Sequence, residues 1–118
     1  MDKFSICLPL STDYFTTVRL TTGGICALAE FDVESTEDFK VCVTESLLIL
    51  NRNGFSSARI SYALSQPLDC EIIGETQDGV VEEGLEDEIS YALLGALLGD
   101  VQYEKDGRGR VVAIRFNA

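Results

Sequence analysis

Between residues 35 and 54 the apolar positions follow a helical period. At about 100° per residue, Glu37, Lys40, Thr44 and Asn51 fall on one polar face, and most remaining positions are apolar. Ser35 stands three residues before Asp38, which predicts a capping-box-like start with a carboxylate near the positive helix end. Gly54 predicts the other end, because glycine takes the left-handed conformation that closes a helix. Glu45 breaks the pattern. Its carboxylate points into the apolar arc, between Val41 and Cys42 on one side and Leu48 and Ile49 on the other.

Elsewhere the period alternates between two and about 3.6 residues. Phe4, Ile6 and Leu8 share one side of a strand over 3–10 that ends at Pro9. Ser11 or Thr12 caps a helix to about residue 30, with Phe15, Val18, Thr22, Ile25 and Ala29 along one face. Gly23 and Gly24 lie inside it, each costing about 1 kcal/mol relative to alanine. They mark close packing against a neighbouring element or the approach of a ligand or partner. Ala58, Ile60, Tyr62 and Leu64 share one side of a strand over 57–65, and a turn at Pro67 leads to a strand over 68–76. A Gln-Asp-Gly turn and an acidic segment open a helix over 83–99, followed by a hairpin, 101–104 with 110–116, around a Gly-containing loop. The order β-α-α-β-β-α-β-β predicts an α+β fold, a two-layer sandwich with helices on one face of the sheet.

The 118 residues fit one domain without repeat or linker, and 46% hydrophobic with 25% charged residues is the composition of a soluble globule. A net charge of −11 repels nucleic acid and anionic membranes, so neither is expected as a partner. With no basic-then-apolar leader and no apolar run long enough to span a bilayer, a cytoplasmic protein is expected. Cys7, Cys26, Cys42 and Cys70 are widely spaced and histidine is absent, which argues against zinc and a compact disulfide framework and excludes His-based triads.

The segments VRLTTGGICALAEF (18–31) and EDFKVCVTES (37–46), together with the element order, resemble the bacterial anti-sigma-factor serine kinases. These belong to the histidine-kinase-like ATPase superfamily, the GHKL or Bergerat fold. The resemblance covers nearly the whole chain as a single such domain, residues 1–118, shortened in the ATP-lid region. It implies a mixed, mostly antiparallel sheet with helices on one face, a role in sequestering a sigma factor and, in active members, ATP-dependent phosphorylation of an antagonist protein.

Residue by residue, the family's nucleotide motifs are degenerate here. The catalytic glutamate, a general base, corresponds to Glu45, but the magnesium-holding asparagine four residues on is Ile49, which cannot ligate a hard cation. Asn51 and Asn53 are not at the motif spacing. The adenine-binding aspartate and the glycine after it correspond to Gly74 and Thr76, with Glu75 out of phase on the strand unless the register shifts by one. In the glycine-rich phosphate loop, Glu88-Ile89-Ser90 stands where Gly-Leu-Gly is expected, and Gly84 alone survives nearby. Glu82, Glu83, Glu86, Asp87 and Glu88 favour a helix N-terminus but oppose a triphosphate arriving there. They lack the spacing of a calcium loop. The last helix carries two apolar stripes, Leu85-Ile89-Leu93-Leu97 and Tyr91-Leu94-Leu98, of which one covers the sheet and the other joins the core or meets another subunit.

The expectation is therefore a regulatory binding protein without cofactor or metal, its partner a sigma factor or an anti-anti-sigma-type antagonist, with homodimerisation open. Two alternatives stand beside it: an ATP- and magnesium-dependent protein-serine kinase in which Glu45 works as base, and a structural subunit of a larger assembly.

Overall fold

The computed structural model describes residues 2–77, 79 and 85–118, with side chains from Asp87 onward in the last segment. Eight elements follow in the expected order: β1 (Asp2–Pro9), α1 (Phe15–Leu28, entered through a single 3-10 turn at Thr12–Tyr14), α2 (Val33–Arg52), β2 (Phe55–Leu64), β3 (Asp69–Gln77), α3 (Leu85–Leu98), β4 (Val101–Lys105) and β5 (Val111–Asn117). No helix among the described residues is long and apolar enough to cross a membrane.

The central helix starts before the predicted cap. Asp32, not Ser35, is the N-cap: its backbone is extended (φ −75°, ψ 176°) and its Oδ1 accepts the Ser35 amide at 2.7 Å. That places the carboxylate on the third helical amide, an otherwise unsatisfied donor. The misplaced start has a simple cause, since Val33 is 81% exposed and adds nothing to the apolar period. The other end is as predicted. Gly54 has φ +92°, and a Cβ there would lie 2.8 Å from the Gly79 carbonyl oxygen, so both conformation and space require glycine.

The strands form one sheet in the order β1-β2-β3-β5-β4. All four pairings among the described residues are antiparallel, so the sheet is not the mixed one expected. The reason is the insertion of β5 between β3 and β4. β4 runs in the same direction as β3 but is not its neighbour in the sheet, because its hairpin partner β5 takes the intervening place.

α2 lies across the middle of the sheet. Phe39, Cys42, Val43, Leu47, Ile49 and Leu50 are fully buried against Ile60, Tyr62, Ile72 and Ile114, each large side chain contributing about 1.5–3 kcal/mol by burial. Phe39 makes edge contacts with Phe31 and Phe116 at 5.7 and 5.3 Å between ring centroids. α1 is tied to β2 by a 2.6 Å hydrogen bond between the buried Thr22 and Tyr62 hydroxyls. The predicted α1 face is buried except for Ala29, and Cys26 joins it. Gly23 answers to close packing, with Lys40 of α2 3.0 Å from where a Cβ would stand, whereas Gly24 faces open space. On α3, Leu94 is buried and Tyr91 and Leu98 are half-buried, while Ile89 and Leu93 of the first stripe are 51% and 36% exposed and Leu97 of the same stripe packs on the core.

The opposite face of the sheet carries the paired polar side chains. It is a polar surface of Ser5 bonded to Ser61 (2.9 Å), Arg59 to Glu75 (3.0 Å), and Arg115 to Glu71 (2.6 Å) and Glu104 (3.1 Å).

Candidate functional site

Glu45 and Arg52 lie seven residues apart on α2, about 20° from one another around the helix, so both project toward the same neighbour. That neighbour is the first turn and a half of α3. Ser90 donates its hydroxyl to Glu45 Oε2 at 2.7 Å, and Arg52 Nη2 donates to the same Ser90 oxygen at 2.6 Å. Arg52 Nε pairs in turn with Asp87, and both side chains of this ion pair are 14% exposed. A continuous polar seam thus joins α2 to α3, Glu45–Ser90–Arg52–Asp87, with Ser90 only 2% exposed. The hydroxyl's one proton goes to Glu45, so toward Arg52 it acts as acceptor. The seam is built as a tie between helices; Arg52 carries no role in the sequence reading, and Asp87 enters it only as one of the acidic run at the helix N-terminus.

The remaining predicted positions do not converge on Glu45. Ile49 is fully buried in the apolar core. Gly74 faces the ring of Phe55, and a Cβ built there would lie 2.5 Å from its Cγ and Cδ1. No side chain fits at that position while the ring stays. Glu75 projects to the far face of the sheet, where it pairs with Arg59, so the one-residue shift that would bring it inward does not occur. Thr76 accepts a 2.8 Å hydrogen bond from the Ser57 hydroxyl at an exposed strand end. Glu88 is exposed and borders a cavity of about 430 Å³ with Asn53, Asp87, Tyr91 and Lys105. The shortened-lid region and Glu82, Glu83 and Gly84 fall outside the described residues, as do the side chains of Leu85 and Glu86.

Asn53, which is off the motif spacing, has a structural task. Its Nδ2 donates to the Ile49 carbonyl at 2.8 Å and its Oδ1 accepts the Val111 amide at 3.0 Å, stitching the end of α2 to the start of β5. An amide just before the terminating glycine was the available signal, since such positions leave helix carbonyls without intrahelical donors. Asn51 spans the same end, donating to the Leu10 and Phe55 carbonyls at 3.4 Å.

All four cysteines are free thiols. Burial pushes Cys26 up to about 11 and Cys42 to about 12, with Asp38 and Glu45 adding to the latter, and raises Cys70 as well. Thiolate nucleophilicity at neutral pH is therefore suppressed at these three positions. Among the described residues no group of three His, Cys, Asp or Glu side chains is placed to hold a metal ion. No family model matches the chain, and no curated protein matches it.

Proposed function

We propose that this chain is a regulatory binding protein: a Bergerat-like domain related to the anti-sigma-factor kinases that keeps the scaffold and has lost nucleotide chemistry. It acts in the cytoplasm by contact with another protein, a sigma factor or an anti-anti-sigma-type antagonist. The observation that carries this reading is the Phe55 ring against Gly74. The position that corresponds to the adenine-binding aspartate has no room for any side chain. Two further features support it. The position that corresponds to the magnesium ligand is the fully buried Ile49. The carboxylate that corresponds to the general base is hydrogen-bonded to Ser90, inside the segment that corresponds to the phosphate loop. Asp87 and Glu88 add negative charge where a triphosphate would have to arrive, which disfavours binding without intervening cations.

Titration of the chain with the sigma factors and antagonist-type proteins encoded beside it, without nucleotide, tests the proposal. A saturable complex with one of them is the expected result. Complexes that form only with Mg-ATP, or none at all, would overturn it, the former in favour of the kinase and the latter in favour of a structural subunit.

A further inference from the structure

On the other side of α3 from the seam, a groove of about 320 Å³ runs between that helix and β4, lined by Tyr91, Gly95, Gly99, Val101, Tyr103 and Lys105. Gly95 stands about 140° round the helix from Ser90, and none of Glu45, Ile49 or Gly74 lines the groove. Its aromatic wall is ordered. The Tyr91 and Tyr103 rings meet edge to face, with centroids 4.9 Å apart and planes at 88°. A third flat ring stacked on either one is edge-on to the other, and both arrangements are favourable. Gly95 is the second notable feature. It lies inside α3, where glycine is less stable than alanine, yet a Cβ there would meet nothing within 4 Å. Neither close packing nor a left-handed backbone requires glycine at this position. Its consequence is a groove left unfilled.

Among the described residues, the one charged side chain in this lining is Lys105, which is exposed and makes no ion pair with any of them. The neighbouring cavity shares Tyr91 and Lys105 but is bordered by Asp87 and Glu88, so a second negative charge on a ligand is repelled there. We propose that the groove binds a small planar aromatic monoanion, a carboxylate or sulfonate. Its ring lies against the two tyrosines and over Gly95, and its charge meets the Lys105 ammonium. The volume is at the lower end of small-molecule pockets, about 300–1,000 Å³, which suits one or two fused rings. On a chain of charge −11 an unpaired cation beside aromatic rings is what sets this groove apart from the rest of the surface. The site does not depend on the proposed function, because it shares no residue with the positions that carry that reading.

Chemical-shift titration of the isotope-labelled full chain with naphthoate tests this, at about 0.15 M salt to screen the net charge of −11. Saturable shifts centred on the amides of Tyr91, Gly95, Gly99, Tyr103 and Lys105 are expected, with a Kd of about a millimolar or tighter. Gly95→Leu fills the groove with a helix-favouring side chain and should weaken binding about tenfold or more. Lys105→Met keeps the apolar stem without the charge. It should weaken naphthoate about fivefold or more and leave binding of the uncharged naphthalene carboxamide as it is in the wild type. If circular dichroism shows that Gly95→Leu fails to fold, Lys105→Met and the carboxamide decide. Shifts that do not saturate by about 10 mM, or that centre outside the groove, overturn the proposal. So does a carboxamide that binds the wild type as tightly as naphthoate, or a folded Gly95→Leu or Lys105→Met variant that binds naphthoate as the wild type does.

Discussion

Arg52 and Arg115 are both paired with carboxylates from another element, but in opposite surroundings. Arg52 sits in the seam between α2 and α3, 14% exposed, with Asp87 equally covered and the Ser90 hydroxyl completing its contacts. Arg115 lies on the open face of the sheet between Glu71 and Glu104, where the side chains are 38%, 38% and 54% exposed. In the seam the charges have lost most of their water, so each relies on its partner; removing one strands the other. On the open face water and salt replace a lost partner at little cost. Adjacent residues of β3 show the same contrast without any change of strand. Gly74 faces the packed side, against Phe55, and Glu75 faces the open side, paired with Arg59. On the packed side a side chain at Gly74 would meet the Phe55 ring, whereas on the open side Glu75 and Arg59 pair in partial contact with water.

The strongest attempt to break that contrast is Gly74→Asp, which restores the residue that the family resemblance implies. It should cost about 3 kcal/mol or more through overpacking and a buried carboxylate, measured by chemical denaturation. A stable variant would mean that the Phe55 ring moves aside readily. Arg52→Met comes next, with an expected loss of about 2–4 kcal/mol from the stranded Asp87. Arg52→Met combined with Asp87→Leu should recover a large part of that loss, because the two sites are in contact and not additive. Arg115→Ala should change stability by less than about 1 kcal/mol, and by less again in high salt.

The smallest effect concerns the helix cap. The Ser35 backbone amide, with a further hydrogen bond from its side chain, holds the Asp32 carboxyl below its ordinary value. A depressed carboxyl contributes stability above its unfolded value of about 3.9, and the contribution is lost as pH falls through the lower folded value. Asp32→Asn keeps the capping geometry but cannot titrate. Its unfolding free energy should fall less steeply than the wild type's as pH drops below about 4, as read from denaturation at a series of acid pH values.

Much of the fold was legible because its elements announce themselves locally. The alternation of Ala58, Ile60 and Tyr62 and the helical spacing of Phe15, Val18, Thr22 and Ile25 predict both the elements and their buried faces. What local pattern cannot reach is the choice of neighbours. β5 displaces β4 from β3 through pairings between residues some forty positions apart, such as Ile72↔Ile114, and that decides that the sheet is antiparallel. The site divides the same way. The inward turn of Glu45 follows from helical phase, and Ile49 in the core follows from its neighbours on α2. The partners of Glu45 depend on how closely α3 approaches α2, and nothing in the spacing of Arg52, Asp87 and Ser90 announces it. The Phe55 ring over Gly74 depends on the register shifts between Phe55, Ser57 and Ala58 at the start of β2, which strict alternation does not anticipate. The acidic run that leads into α3, prominent in the sequence, is divided in role where it enters the helix: Asp87 pairs with Arg52, and Glu88 stays exposed.

Isothermal titration calorimetry of the wild-type chain with Mg-ATP tests the central claim most directly. No saturable heat is expected, and the same flat trace for Glu45→Gln. Saturable binding in the micromolar range would contradict it, and most decisively if the heat disappeared in Glu45→Gln.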